Sequence, residues 1–379
     1  MGLKIGLLLP RSDMFPTLAL DFLNGLKLLF NKSDTNINFP QFFIEGIGNA
    51  TDDSLLRIAE KMILQEDVDL TISFCSIFKL KELVAIFNSY KKPLIHLDLG
   101  GNVFKKEHIS EYVLHHTINL CQSSYVSGVY AAKVYGKNAA LAVSFYDGGY
   151  HIAESFVKGF TENGGSIVYN YVSPMDYKSE SYETMVQGIE TSKPDVIFTL
   201  FSYKEATKVF ETLSKSKLNG KIPFLAIPLM TDEVYNTKNH QLKNVYSIAS
   251  WSLDEETAEM KNYSSLYQEK YKNNPNIFSL LGFETGLIID KNLNAKGEIP
   301  SKISESVKLN DIQTPRGKLT FNSFNDSQIT QFKLREFKFS NTNYQNIVIE
   351  NIDASISENL NQKFEEFPLT GWQNPYICT

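Results

Sequence analysis

The sequence predicts an α/β protein built as two doubly wound parallel-sheet lobes. Short apolar runs alternate with segments of helical period through most of the chain. This βαβα rhythm occurs twice, before and after about residue 120, and parallel strands need crossover helices that bury both faces of the sheet. The 379 residues, 42% hydrophobic and 21% charged, correspond to about two to three domains whose cores need neither disulfides nor a structural metal.

In the first unit Leu3 to Leu9 reads as a strand, followed by a helix near Phe15 to Phe30 with Leu18, Phe22, Leu26 and Leu29 on one face. Phe42 to Ile44 is a second strand. Asp52, Asp53 and Ser54 open another helix, acidic side chains suiting its first turn. Val68 to Phe74, Ile77 to Tyr90 and Pro93 to Leu97 supply strand, helix and strand. The second unit begins with a helix over Val126 to Tyr135. Strands follow at Ala139 to Phe145, Ser166 to Val172, Asp195 to Leu200 and Pro223 to Ile227, separated by helices at Ala153 to Glu162, Tyr182 to Thr191 and Glu205 to Ser214. After a strand at Val245 to Ser250 the order changes to two consecutive helices, Asp254 to Tyr271 and Phe278 to Leu293. Strands at Lys318 to Phe321 and Gln328 to Phe339 precede a polar, aromatic-containing tail from Ser340 to Thr379. No Gly/Ser-rich or Pro-rich linker separates the halves, so short segments join them.

Composition excludes several functions. With 37 Lys+Arg against 43 Asp+Glu the formal charge is −6, and the basic residues are dispersed, so the footprint for neutralising nucleic-acid phosphates is missing. No apolar run approaches the ~18–20 residues needed to cross a bilayer. No basic stretch followed by an apolar one precedes the first strand, which leaves open a cytoplasmic chain or one whose signal segment has been removed. Cys75, Cys121 and Cys378 are too few for a disulfide framework and do not decide the redox compartment.

Catalytic constellations are missing as well. The chain has neither GxSxG nor HExxH, and His115 and His116, adjacent on a strand, point to opposite faces and cannot share a metal. The run Gly46 to Thr51 half-matches a dinucleotide fingerprint but follows the second strand and lacks the third small residue. We therefore expect no catalytic residues, no metal and no cofactor. What remains is a set of segments after parallel strands: Phe74 to Ile77, Leu97 to Gly100, Phe145 to Tyr150, Leu200 to Tyr203 and Ile227 to Leu229. Carboxyl ends of strands are where open α/β sheets bind ligands. These segments combine hydroxyls and helix N-terminal amides with aromatic walls, which favours binding over turnover. Gly100-Gly101 and Gly148-Gly149 fall in the same places, where glycine either admits a close neighbour or only permits a turn.

The segment order, with Ile5 to Pro10, Asn24-Gly25, Phe74-Cys75-Ser76, Tyr146 to Tyr150 and Thr314 to Phe321, resembles the type I periplasmic binding proteins, specifically the branched-chain amino-acid-binding family of ABC importers. The resemblance covers about residues 3–338 and rests on the ordered set. It implies a first lobe of residues 1–118 and 250–329, a second of 119–249 and 330–352, and an extension over 353–379, with crossovers near 117–121, 247–251 and 328–332. It further implies an extracytoplasmic or periplasmic monomer that closes on a small polar or amphipathic molecule, an amino acid or related carboxylate. The partner would be a membrane permease; the alternative is a sensing module of the same fold that signals to a receptor or regulator. First-lobe contacts carry over to Cys75, Ser76, Ile77, Asp98, Leu99 and Gly100, second-lobe contacts to Tyr150, Phe201, Ser202, Tyr203 and Pro228. The sequence departs from the amino-acid pattern at Pro228, where such binders carry an acid for the ligand ammonium. Asp98 is the substitute, or else a turn residue. The cysteine that would pair with Cys75 in the family has no counterpart near Thr51.

Overall fold

Alternate residues of the first strand face two different cores. In β1 (Lys4–Leu9) the side chains of Ile5, Leu7 and Leu9 join the larger core and Leu8 a smaller one, the period of two that a sheet covered on both faces requires. The chain continues through α1 (Leu18–Phe30), β2 (Gln41–Gly46), α2 (Ser54–Leu64), β3 (Leu70–Phe74), α3 (Ile77–Tyr90), β4 (Leu94–Leu97) and β5 (Val113–His116). These strands form a five-stranded parallel sheet in the order β2-β1-β3-β4-β5. This computed structural model describes residues 2–31, 39–50, 54–234, 236, 239–340, 343–369 and 371–378; Thr51, Asp52 and Asp53 lie outside them.

The second unit comprises α4 (Leu120–Val134), β6 (Asn138–Val143), α5 (His151–Glu162), β7 (Ser166–Val172), α6 (Glu183–Ser192), β8 (Val196–Leu200), α7 (Tyr203–Lys215), β9 (Phe224–Ala226) and β10 (Val245–Ala249). Then come α8 (Ala258–Tyr271), α9 (Ile277–Asn292), α10 (Ile303–Val307) and the small antiparallel sheet β11 (Ile312–Thr314), β12 (Gly317–Phe321) and β13 (Ser327–Ile329). A long hairpin, β14 (Gln331–Ser340) and β15 (Asn343–Asp353), completes a seven-stranded sheet ordered β15-β14-β10-β9-β8-β6-β7. Strands β6 to β10 are parallel to one another, and the hairpin is antiparallel, β14 pairing antiparallel to β10. Close helix pairs flank the two sheets. A Cβ on Gly25 of α1 would sit 1.8 Å from the Ser279 carbonyl oxygen of α9, and one on Gly128 of α4 would sit 2.2 Å from the Phe156 carbonyl oxygen of α5.

Three expectations need correction. Helix α4 begins at Leu120, six residues before Val126, because it is buried nearly all round and shows no amphipathic period. Its polar residues are satisfied internally: Gln122 donates to Asp326 at 3.0 Å and the Ser127 hydroxyl to the Ser123 carbonyl at 2.8 Å. The single strand expected over Gln328 to Phe339 is two strands belonging to different sheets. Residues after Ser340 are not all tail, since Asn343 to Asp353 form β15, a polar edge strand paired along β14.

The chain passes between the two large sheets after β5, after β10 and between β13 and β14. One side chain ties these passages together. Arg316, fully buried in the turn between β11 and β12, pairs with Glu284 of α9 at 2.6 Å. It also donates to the Thr117 carbonyl at 3.0 Å, to Asn119 Oδ1 at 3.1 Å and to the Ser250 hydroxyl at 2.9 Å. Asn119, in the left-handed conformation, then donates to the Ser327 carbonyl at 2.7 Å, so all three passages share one network. His116 lies 3.3 Å from Glu284. Burial pushes the Glu284 carboxyl up, but the Arg316 charge and the hydrogen bonds from His116 and Arg316 outweigh it and hold the group at about 2.

Beyond β15 the chain turns through α11 (Leu360–Lys363) and runs back between the sheets. Asn361 donates to the Phe104 carbonyl at 3.1 Å, Lys363 to the Tyr125 hydroxyl at 2.8 Å, and His151 Nε2 lies 3.0 Å from the Pro368 carbonyl.

Replacing Arg316 by Met strands the Glu284 charge, and chemical denaturation should show a loss of about 3–5 kcal/mol at pH 7. Because the folded pKa of Glu284 lies below its ordinary 4.5, its stabilisation is complete above that value and is lost as pH falls toward about 2. The deficit of Arg316→Met should therefore shrink over that range; a deficit independent of pH would contradict the pairing.

Candidate functional site

Strand β6 ends at Val143 and the chain turns sharply over Ser144 to Tyr150 before α5. That turn is held by Asp147, whose carboxylate accepts from the Ser144 hydroxyl at 2.6 Å while its own N–H donates to the same oxygen at 2.8 Å. Its second oxygen accepts from the Ser202 hydroxyl and, at 2.7 Å, from the phenol of Tyr376. Burial pushes the Asp147 carboxyl upward against these three donors. Ser202 occupies the position before α7 but makes no capping bond with its side chain, because its hydroxyl is turned onto Asp147. Tyr203 follows with φ +43, an uncommon backbone for a bulky residue, and its ring lies 5.4 Å from Phe15 of the opposite lobe.

The space between the sheets is filled by the chain itself. Tyr376, Ile377 and Cys378 are 1%, 0% and 0% exposed. The Tyr376 ring meets Tyr150 edge-on at 4.8 Å and lies parallel to Tyr146 at 6.3 Å. Tyr150 donates to the Asn374 carbonyl at 3.2 Å, the Ile377 N–H donates to the Tyr146 hydroxyl at 3.0 Å, and the Trp372 indole donates to the Tyr146 carbonyl at 2.7 Å. From the first lobe the Ser12 hydroxyl donates to the Ile377 carbonyl, and Asp98 lies within electrostatic reach of Cys378. Both glycine pairs make room for this segment. A Cβ on Gly101 would meet Tyr376 Cβ at 2.8 Å and one on Gly149 would meet Trp372 Nε1 at 2.7 Å.

Beside the segment a cavity of about 470 Å³ remains open, lined by Met14 from the first lobe, Tyr146, Asp147, Ser202 and Tyr203 from the second, and Trp372. Its size is that of a small-molecule site. Glu205 at its wall is pushed up to about 7, by burial against the opposing hydrogen bonds from Ser173 and Tyr182. Lys204 stands exposed at its mouth.

The expected site residues distribute as follows. Tyr150 and Ser202 are hydrogen-bonded to the segment, and Ser202 and Tyr203 also line the open cavity. Asp98 accepts from the Gly100 N–H, closing its own turn, and burial raises its carboxyl to about 7 against that hydrogen bond. Gly100, with φ +79, packs against the start of α4. Ser76 caps α3, accepting from the Phe78 N–H at 3.2 Å. Cys75 and Ile77 belong to the smaller core and Leu99 and Phe201 to the larger one; burial raises the Cys75 thiol to about 12. Pro228 is buried, its carbonyl accepting from Thr231 at 3.2 Å. All three cysteines are free thiols. His115 stacks on Phe104 at 4.3 Å while His116 faces Glu284, so the histidine pair does diverge. No group of metal-ligating residues occurs among the described residues. In the sequence Tyr146 and Asp147 stand out only as members of a strand-end segment and not as contacts, Trp372 reads as a cap on a lobe surface or a docking residue for a partner, and Ser12 and residues 376–378 carry no signal. Nothing in the spacing of residues 371–378 marks a chain that folds back through the molecule.

The Gly149→Val side chain needs the space of the Trp372 indole. In a Trp251→Phe background, which leaves Trp372 as the sole tryptophan, its emission should shift to the red as the ring is expelled; an unchanged spectrum would mean that the contact is not tight.

A search of curated proteins finds no match. Among solved structures, an ABC transporter substrate-binding protein from Sphaerobacter thermophilus is 18% identical with a TM-score of 0.80, covering 93% of this chain and 98% of that one. A solute binding protein of an ABC transporter from Rhodopseudomonas palustris BisB5, in complex with 3,4-dihydroxybenzoic acid, is 20% identical with a TM-score of 0.77 and the same coverage. A branched-chain amino acid transporter substrate binding protein from Streptococcus pneumoniae, in complex with isoleucine, is 15% identical with a TM-score of 0.70, covering 93% and 100%. The sequence profile described as "Periplasmic binding protein" matches residues 2–331, and with two α/β sheets meeting across a cleft the chain belongs to the periplasmic binding protein family, whose role is to bind solutes outside the cytoplasm.

Proposed function

We propose that the protein is the solute-binding component of an ABC importer and that its solute is a small aromatic molecule carrying a ring hydroxyl. One observation carries this reading: the cleft already holds a phenol, with the Tyr376 hydroxyl 2.7 Å from Asp147 and its ring packed against both Tyr146 and Tyr150. A buried carboxylate flanked by Ser144 and Ser202 suits a hydroxyl donor, and the aromatic walls suit a ring. Lys204 at the mouth is the cation available to a ring carboxylate. The dihydroxybenzoate bound by the Rhodopseudomonas palustris protein has this chemistry. The same site is less suited to an aliphatic amino acid, because Asp98, the substitute for the ammonium partner, is engaged with its own turn and burial favours its neutral form.

In this reading residues 1–118 with 250–329 and residues 119–249 with 330–352 are the two lobes. They close on the solute as a monomer and present the closed form to a membrane permease, without nucleic acid. Closure would swing about the passages that Arg316 ties together, a hinge motion in which a few residues absorb the dihedral change.

Thermal-shift measurements with 3,4-dihydroxybenzoate and isoleucine test the solute class. The aromatic acid should raise the melting temperature, with a shift that keeps growing as the logarithm of its concentration above Kd, and isoleucine should not. Ser202→Ala should weaken the aromatic acid roughly 5–10-fold, the value of about one hydrogen bond. Equal shifts from both compounds, or an unaffected Ser202→Ala, would refute the assignment.

A further inference from the structure

The segment that fills the cleft has the properties of a ligand. Its buried part, Tyr376 to Cys378, touches both lobes, and several of its polar ties go to residues that line the solute cavity: Tyr376 to Asp147 and Ser202, Asn374 to the Tyr146 hydroxyl at 3.2 Å, and Trp372 to the Tyr146 carbonyl. A ligand and this segment would use the same acceptor, since the carboxylate oxygen of Asp147 that faces the cleft is the one taken by the Tyr376 hydroxyl. The fit is steric as well as polar, because the chain lies against Gly101 and Gly149 at separations that no Cβ would allow. The segment also differs from a core element. It belongs to no sheet, its last helix ends at Lys363, and from there to Cys378 it is held by side-chain hydrogen bonds and short turns rather than by a strand ladder.

We infer that residues 371–378 are a built-in competitor for the solute: the segment occupies the deep half of the cleft, with the Tyr376 phenol standing where the solute hydroxyl goes, and solute entry requires its release. The identity of the competing group rests on the reading of the solute as a phenol; the release of the segment does not. Tethering gives the segment an effective concentration on the order of millimolar, so a solute meets a cleft that is filled until its own concentration and contacts outweigh the tether. The filled cleft also joins both lobes through Ser12 on one side and Asp147 on the other, so the chain without solute is held closed by its own segment.

Alkylation of the full chain by iodoacetamide, read at each cysteine by mass spectrometry, tests release without any solute. Cys75 lies in the smaller core and Cys121 in the larger one, which Cys378 joins from an irregular segment; the first two serve as internal references. If the segment leaves while the lobes stay folded, Cys378 should react at least tenfold faster than both. Tyr376→Phe, which removes only the hydroxyl, should raise the Cys378 rate a further several-fold and leave the other two unchanged. If Cys378 reacts no faster than Cys75 and Cys121 in either chain, the segment is an integral part of the core and the inference fails. Adding 3,4-dihydroxybenzoate separates this inference from the solute reading. Competition predicts faster Cys378 alkylation with increasing compound and at least tenfold tighter binding to Tyr376→Ala than to the unaltered chain. Slower alkylation would place the compound in the adjoining cavity with the segment as its wall, which overturns competition. If the compound binds none of these chains, the phenol reading is what fails, and the alkylation rates without compound still decide whether the segment is releasable.

Discussion

The arrangement of the two lobes depends on one buried guanidinium. Three separate stretches of chain cross between the sheets, and left to themselves they would be three short linkers with several relative orientations. Arg316 removes that freedom by donating to Thr117, Asn119 and Ser250 while Asn119 binds Ser327. A guanidinium suits this position because its planar set of donors reaches several acceptors at fixed angles, which a lysine ammonium does not. The charge is neutralised by Glu284, itself anchored in α9 at zero exposure. A second buried arginine works on the other side of the middle passage. Arg335 of β14 donates to the Trp251 carbonyl at 2.9 Å and lies 5.2 Å over the Trp251 ring. The passage after β10 is therefore gripped from both lobes, one residue apart.

Such a hinge defines an axis more than it supplies closing energy. The contacts that draw the lobes together lie at the cleft, where the His151 N–H donates to the Gly101 carbonyl at 3.0 Å, Phe15 meets Tyr203 at 5.4 Å, and the chain's own segment adds ties to both sides. Tyr376 and Ile377 join acceptors and donors on opposite lobes, as a solute does in a closing cleft, and each is buried as deeply as the core residues around it. Ahead of the segment, Lys363 of α11 forms an ion pair with Glu162, but both partners are about one-third exposed, so solvent screening leaves that pair a minor contribution. The specific part of the attachment is the aromatic cluster of Tyr146, Tyr150, Trp372 and Tyr376, together with the Asp147 carboxylate.

The sequence made the repeated βαβ order legible because the inner strands of both large sheets, such as β1, β3, β4 and β8, are short, mostly apolar runs buried almost throughout. It failed where burial and polarity part company. Helix α4 carries Gln122, Ser123 and Ser124 in fully buried positions, and no hydrophobic period survives there. Strand β15 lies at a sheet edge with exposed polar residues, so composition alone makes it look like tail. For the cleft, the strand-end rule pointed to Tyr150, Ser202 and Tyr203 through their place after β6 and β8. Asp147 lies in one of those strand-end segments, but a single acid in a glycine-containing turn has no local mark that separates it from a turn residue. Its role emerges only from Ser144, Ser202 and Tyr376 converging on it, and Tyr376 is 229 positions away along the chain.

That separation explains why the feature that distinguishes this cleft escaped a reading based on spacing. Local pattern reports which face of a helix or strand is buried, whereas an irregular segment has no period, and its partner is chosen by shape and by unpaired hydrogen-bonding groups. The two glycine pairs were open to two readings, a turn or a close approach. At Gly101 and Gly149 close approach is the operative reason, and what approaches is the chain itself. On the proposed function, the acceptor, the ring walls and the depth offered to a solute are those that Tyr376 occupies in this structure.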